Sequence, residues 1–590
     1  MNLPAYTEAL NPSQREAVLH TEGPLLVFAG AGSGKTRVLT YRILHLIRSG
    51  AALPHEILAV TFTNKAAKEM KQRVNQLVGD ENCSVWVSTF HSTCVRILRA
   101  HAETLGFNSQ FAIYDRSDST AALKRVMKRQ EIDPRQLSPK SVLQEIDRAK
   151  NKYIDPEAYR SMQSMQYDVD DRVYELYLGY QEELQRSNAM DFGDLLCNTV
   201  SLFKLDQKLL AKYQKQFRYI LVDEYQDTNP VQYILLQQLA EVSNNLCVVG
   251  DDDQSIYAFR GASIDNILSF QNDFSGGLSV TLDQNYRSTK TILSAANAVI
   301  EKNKKRQKKT LFTDNALGEP ITCYCADDER DEARYVAEQI QLAAANGVRY
   351  SDMAIFYRTN AQSRALEEAL TDSAVPFVLY GGLRFYQRKE IRDLLCYLKL
   401  IANPSDSESF LRVVNTPARG IGASSIKKIQ ELSISSGTSL FEALNLAIKQ
   451  ETLSKAAIKK CSIFTSLIEG LRENNNYSND FLARLLHSIA ESSGYLATLK
   501  EENTEESLSR IENLQELFAV AQEFVIADFL DRTSLISDLD SENTVEGMEK
   551  ASSGSVSMMT LHLAKGLEFS YAFLVGLEDG LLPHIRSLDS

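Results

Sequence analysis

Several things are missing from this 590-residue sequence, and each absence narrows the field. No apolar run approaches the roughly 18 residues of a membrane-spanning helix. The start, Met1-Asn2-Leu3-Pro4-Ala5-Tyr6, has no basic stretch followed by an apolar one, so no secretory signal is visible and a cytoplasmic location is expected. Cysteines are few and scattered, at 83, 94, 197, 247, 323, 325, 396 and 461; the one close pair is separated by a single residue, which fits neither zinc nor redox spacing. They read as reduced structural thiols. An excess of basic charge is also lacking: 64 Lys and Arg against 77 Asp and Glu give −13, which excludes a uniformly positive coat. A local basic groove would still suffice for nucleic acid.

At 590 residues the chain exceeds one hydrophobic core and should divide into roughly three or four domains. The most informative stretch is Ala29-Gly30-Ala31-Gly32-Ser33-Gly34-Lys35-Thr36, between the apolar run Leu25–Phe28 and a helical pattern at Val38, Leu39, Ile43, Leu46 and Ile47. Small residues let backbone wrap a polyphosphate, amides opening the helix face the anion, Lys35 supplies charge, and Thr36 suits Mg²⁺. Ala29 replaces the usual first glycine. Upstream, Asn11 caps a helix bearing Gln14, whose amide suits an adenine edge or simply a solvated helix face.

Strands and helices alternate onward as in a parallel α/β sheet, whose ligands gather at the strands' carboxyl ends. The strand Ile57–Phe62 leads into Thr63 and Asn64, and Val85–Ser88 delivers Thr89, Phe90 and His91. From about Cys94 to Gln207 the pattern is helical, with no strong strand; Met190–Leu196, containing Phe192, is its most distinctive part, explicable as a helix start at Asp191. The strand Phe217–Val222 ends in Asp223 and Glu224. Adjacent carboxylates after a buried strand suit a metal and a general base, or the cap of the next helix. Asn245–Gly250 leads to Gln254, which suits phosphate sensing, and to Tyr257 and Phe259, which read as base-stacking platforms or as buried aromatics. Arg287 suits an oxyanion or a surface ion pair. The basic run Lys302–Lys309 reads as a solvated helix end or a nucleic-acid contact. A second α/β unit is expected from a strand at Ile321–Cys325, a helix around Ala333–Leu342 and a strand at Met353–Tyr357; a helical stretch from Tyr380 to about Glu549 contains the Gly420-Ile421-Gly422 turn, and strands return at Val556–Leu561 and Tyr571–Val575.

Seven motifs occur in a fixed order: 29–36, Phe-Thr-Asn-Lys-Ala-Ala at 62–67, Thr-Phe-His-Ser at 89–92, Val-Asp-Glu-Tyr-Gln-Asp-Thr-Asn from Val222, Val-Gly-Asp-Asp-Asp-Gln-Ser-Ile-Tyr from Val249, Asn-Tyr-Arg-Ser from Asn285, and Thr-Leu-His-Leu-Ala-Lys-Gly-Leu-Glu-Phe from Thr560. Together the chain resembles the superfamily 1 DNA helicases of the UvrD, PcrA and Rep group over essentially its whole length, nearest to the UvrD branch. The resemblance implies an α/β fold with two RecA-like motor domains, 1–89 with 208–280 and 281–379 with 551–590, carrying helical insertions at 90–207 and 380–550. It implies ATP between the motors, bound by Gln14, Ala29, Gly30, Ala31, Gly32, Ser33, Gly34, Lys35, Thr36, Arg37, Tyr286, Arg287 and Glu568. Mg²⁺ falls to Thr36 and Asp223, with Lys35, Asp223, Glu224, Gln254 and Arg287 as the catalytic set. DNA falls to Phe62, Thr63, Asn64, His91, Phe192, Tyr257, Phe259, Arg358, Asn360, Gly420, Gly422 and His562. Phe259 stands where relatives usually carry tryptophan.

The implied activity is ATP-driven 3′ to 5′ movement and unwinding of duplex DNA in repair and replication. Substrates would be single strands and single-strand/duplex junctions, the protein a monomer or weak dimer with repair-protein partners. Alternatives are a translocase that mainly strips proteins from single strands and a nucleotide- and DNA-binding fragment. Relatives continue past the segment matching Leu582-Pro583-His584 into a motif whose arginine enters the ATP site, and the sequence ends at Ser590 before it. A finger arginine is worth orders of magnitude in phosphoryl transfer, so a truncated, slow ATPase is expected. The DNA-stimulated ATPase of this chain should therefore fall well below that of a version extended through that motif; equal rates would refute the expectation.

Overall fold

A computed structural model describes residues 4–80, 83–109, 111–114, 116–163, 171–258, 261–274, 276–380, 385–473, 481–522, 524–526, 529–530, 533 and 554–583. By contacts the chain divides into two compact units, Met1–Thr322 and Cys323–Ser590. Among the described residues no helix is long and apolar enough to cross a membrane.

The first unit is built on six parallel strands: Leu25–Ala29 (β1), Ile57–Thr61 (β2), Trp86–Thr89 (β3), Tyr219–Val222 (β6), Leu246–Gly250 (β7) and Leu278–Leu282 (β8), in the spatial order β3-β2-β6-β7-β1-β8. Their near-continuous apolar runs are those of strands covered on both faces. Side chains alternate between two cores. Leu25, Val27, Ile57, Ala59 and Leu221 pack with Ala17, Val38, Ile43 and Met70 on one face. Leu26, Phe28, Leu58, Val60 and Ile220 pack with Cys94, Leu196, Leu235 and Phe270 on the other. Because every strand runs the same way, Gly30, Phe62, Phe90, Asp223, Asp251 and Asp283 all emerge at one edge of the sheet.

The helical stretch between β3 and β6 is not uniform. Helices Phe90–His101, Phe192–Leu205 and Gln207–Gln216 contribute to the core of the sheet, whereas a separate core gathers residues from Ala122 to Ala189. Two three-residue strands, Ala112–Tyr114 (β4) and Ala189–Asp191 (β5), pair in parallel within it. They are too short to leave a period-two signal, and none was expected there. A buried ion cluster joins the two cores: Lys150 Nζ lies 2.7 Å from both Asp191 Oδ2 and Asp194 Oδ1, while Tyr180 Oη donates to Asp191 and Gln181 Nε2 to Asp194. Burial, together with the Asp191 charge, pushes the Asp194 carboxyl up to about 6; at Asp191 burial acts in the same sense but Lys150 outweighs it and holds that group below its ordinary value.

The second unit has a parallel sheet of Met353–Tyr357 (β9), Phe377–Leu379 (β10), Val556–Thr560 (β11) and Tyr571–Leu574 (β12), ordered β10-β11-β9-β12, packed against helix Glu329–Ala345. A large helical core from Phe385 to Phe529 lies between β10 and β11 in sequence. The expected strand at Ile321–Cys325 is not formed. These residues are exposed and have no ladder partner among the described residues, and Tyr324 instead stacks on Tyr335 with ring centroids 3.8 Å apart. Apolar alternation makes a strand only where a neighbouring strand accepts its backbone groups.

Lys150→Met should expose the cost of the ion cluster, since it leaves two buried carboxylates facing each other. A loss of about 3–5 kcal/mol in urea unfolding is expected; a loss within the roughly 1 kcal/mol of a surface pair would contradict the account.

Candidate nucleotide site and nucleic-acid surface

Ala29 is the last residue of β1, in register with Leu282 and fully buried. The position where a first glycine is usual therefore carries extended backbone that alanine adopts freely. The glycines that follow are needed. Gly32 and Gly34 have φ of 65° and 89°, and a Cβ on Gly32 would sit 2.8 Å from Arg287 Cβ and from Asn285 Nδ2. A Cβ on Gly30 would collide with the Leu311 side chain. Gly34 starts the helix Lys35–Arg48, whose first-turn N–H groups and positive dipole end face the loop.

The loop is braced from several sides. Gly30 N donates to Leu282 O (3.1 Å) and Ser33 Oγ to Gly30 O (2.7 Å). Asn285 Nδ2 donates to Ala31 O (2.6 Å), and Tyr286 N to Gly32 O (3.0 Å). Gln14, only 1% exposed, donates from Nε2 to Ser33 O (2.9 Å) and accepts from Asn11 N at Oε1. Its amide thus supports the loop from beneath, in addition to whatever it offers a base. Left-handed glycines, first-turn amides and an adjacent lysine fit a polyphosphate.

At the mouth of the loop a ring of polar contacts closes on Lys35. Lys35 Nζ donates to Gln254 Oε1 (3.3 Å) and lies 3.6 Å from Glu224 Oε2. Gln254 Nε2 donates to Asp251 Oδ2 (2.6 Å), Asp251 N to Gln226 Oε1 (2.9 Å), and Gln226 Nε2 to Glu224 Oε2 (2.6 Å). Glu224 has φ 52°, uncommon outside glycine, and its N–H bonds Asp223 Oδ1 (3.0 Å). Asp223 is buried at the end of β6, and Thr36 lies in the first turn after the loop. Of the other expected nucleotide residues, Arg37 donates to Ala9 O, Arg287 is exposed beside Gly32, and Tyr286 Oη accepts from Asn11 Nδ2 and donates to Gln284. Glu568 is an exposed residue of the second unit.

The expected DNA residues fall into groups. Phe62 and Tyr257 stack, with ring centroids 5.3 Å apart and planes 14° apart. Phe192, 54% exposed, meets the His91 ring edge-on at 5.7 Å, and burial lowers the His91 pKa. The Thr63 hydroxyl caps the next helix by accepting from Ala66 N. Phe259 and the Asn64 side chain lie outside the described residues. In the second unit the Arg358 guanidinium lies 2.9 Å from His562 Nε2, the Asn360 carbonyl accepts from Arg388, and Asn360 Oδ1 is buried with no hydrogen-bond partner among the described residues. Gly420, φ 74°, accepts Lys460 Nζ at its carbonyl (3.2 Å), and Gly422 precedes the helix Ala423–Ser436 without a side-chain cap.

The structure also brings in residues that sequence reasoning passed over. Gln226 and Asn285 sit inside recognised motifs, and their amides were the available signal. The basic run divides: Lys302, Lys304, Lys305 and Lys308 are exposed, as a solvated run requires, whereas Arg306 and Lys309 turn inward and pair with Asp251, Asp252 and Asp253. A buried charge must be paired, and its partners here lie more than fifty residues upstream.

Residues 10–275 match the UvrD/REP helicase N-terminal domain and residues 280–590 the UvrD-like helicase C-terminal domain. The ATP-dependent DNA helicase PcrA of Staphylococcus aureus (strain Mu50 / ATCC 700699) is 45% identical over 590 aligned residues, covering 98% of this chain and 79% of that protein. PcrA of Staphylococcus epidermidis (strain ATCC 35984) is 45% identical over 599, covering 99% and 80%. The chain belongs to the UvrD-like helicase family.

Proposed function

We propose that this chain is an ATP-hydrolysing DNA helicase of the UvrD and PcrA type that moves 3′ to 5′ along one strand and opens single-strand/duplex junctions in repair and replication. The observation that supports it most is the Lys35 ammonium held between Glu224 and Gln254 at the mouth of a braced phosphate loop. In this reading the ATP phosphates take over from Glu224 as partners of Lys35. Glu224, then released and still bonded to Gln226, accepts the proton of the attacking water, while Gln254 and Arg287 address the terminal phosphate. Thr36 and Asp223 would hold Mg²⁺, which when bound neutralises phosphate charge. Gln14, Arg37, Tyr286 and Glu568 take the nucleoside and its surroundings.

For DNA, stacking on Phe62, Tyr257, Phe192 and Phe259 is tolerant of sequence, as a translocating motor requires. Thr63, Asn64, His91, Arg358, Asn360 and His562 would contact backbone or bases, and the Gly420 and Gly422 amides duplex phosphates. The two motor domains and two insertions read from the sequence are proposed as the working parts, with residues 281–322, which pack on the first unit, carrying Tyr286 and Arg287 to the loop. A cytoplasmic monomer or weak dimer with repair-protein partners completes the proposal.

The polarity is tested by strand displacement on 3′-tailed and 5′-tailed duplexes; opening of the 3′-tailed substrate alone is expected, and opening of only the 5′-tailed one would refute it. Protein displacement without unwinding would favour the translocase alternative. Glu224→Gln should retain nucleotide binding while slowing DNA-stimulated ATP hydrolysis about 100-fold or more. Phe62→Ala should weaken single-strand binding by about 1–3 kcal/mol, measured by fluorescence anisotropy.

A further inference from the structure

Lys309 lies outside every motif, yet it is tied to the site by an unbroken path. Its side chain is 1% exposed, and its Nζ sits 2.8 Å from Asp251 Oδ1, 2.6 Å from Asp252 Oδ1 and 2.8 Å from Asp253 Oδ2. Arg306 grips Asp253 with two parallel bonds of 2.8 and 2.7 Å, and Gln307 N donates to Asp252 Oδ2 (2.6 Å). The far oxygen of Asp251 accepts Gln254 Nε2, and the Gln254 carbonyl oxygen faces Lys35. Two residues on, Leu311 lies against Gly30 of the phosphate loop. One short segment thus holds the sensor loop and covers the phosphate loop.

An amide has two orientations that differ in which end donates. A carboxylate can only accept, so Asp251 compels Gln254 to turn its NH₂ inward and its oxygen toward Lys35. Three carboxylates within 4.8 Å of one another would repel unless balanced. Burial opposes the Lys309 charge, but the three aspartates outweigh burial and hold its pKa above the ordinary value.

We infer that Lys309 is a positioning residue for ATP hydrolysis: through Asp251 it fixes the orientation of the Gln254 amide toward Lys35, with Arg306 holding the neighbouring Asp253. The inference rests on the proposed ATPase reading of the same site.

A double-mutant cycle tests it. Lys309→Met is expected to lower kcat of DNA-stimulated ATP hydrolysis about tenfold or more with KM for ATP nearly unchanged. Lys309→Arg should restore part of the loss. In a Gln254→Ala background Lys309→Met should cost nothing further, because both changes break the same path. Additive losses, or an unchanged kcat, would overturn the inference. If Lys309→Met fails to fold, Asp251→Asn, which allows the amide either orientation, is run through the same cycle and read by the same criteria. A crystal structure of Asp251→Asn separates this inference from the reading beneath it. Should the unaltered chain show no DNA-stimulated ATPase, the proposed function fails, while a Gln254 side chain turned away from Lys35 in the variant still supports the positioning role and an unmoved one overturns it.

Discussion

Lys35 has to keep its charge at the rim of a low-dielectric sheet, and much of the site is arranged around that requirement. Its ammonium is met by Glu224 at the end of β6 and by Gln254 just beyond β7, each aimed by a second polar group, Gln226 and Asp251. Only a parallel sheet brings these strand ends to one edge. The apolar runs that bury β1, β6 and β7 on both faces therefore serve the chemistry directly: they fix the spacing of the loop, the two carboxylates and the sensor amide.

Charge is balanced in the same economical way elsewhere in the first unit. Lys150 faces Asp191 and Asp194, while Lys309 and Arg306 face Asp251, Asp252 and Asp253. Both clusters lie next to groups with a proposed function, Phe192 in one case and Gln254 in the other. Buried ion pairs add little net stability compared with apolar packing, but they are directional. Here that directionality sets a helix start and the face of an amide.

Much of this was legible in the sequence. The alternation of apolar strands with helices predicted the parallel sheet, and the ordered motifs placed Lys35, Asp223, Glu224 and Gln254 at its carboxyl edge. Ala29 looked like a defect in the loop and is an ordinary strand residue. What escaped was whatever depends on partners distant in the chain. Ile321–Cys325 has the alternation of a strand but no neighbour to pair with among the described residues, and within the Lys302–Lys309 run Arg306 and Lys309 look solvated until the carboxylates that meet them are known. Gln14 read as a base contact or a surface residue; it is not on the surface but buried, supporting the Ser33 carbonyl. Periodicity and motif spacing report local geometry; they carry no information about which remote group will neutralise a charge.

The account turns on Lys35 exchanging a protein carboxylate for a phosphate. A crystal structure of the chain with a non-hydrolysable ATP analogue and Mg²⁺ tests this most directly. Lys35 Nζ is expected on a terminal phosphate oxygen and separated from Glu224, with Gln254 still bonded to Asp251. An analogue bound away from the Gly30–Thr36 loop, or a Lys35 that remains on Glu224 with the nucleotide in place, would contradict it.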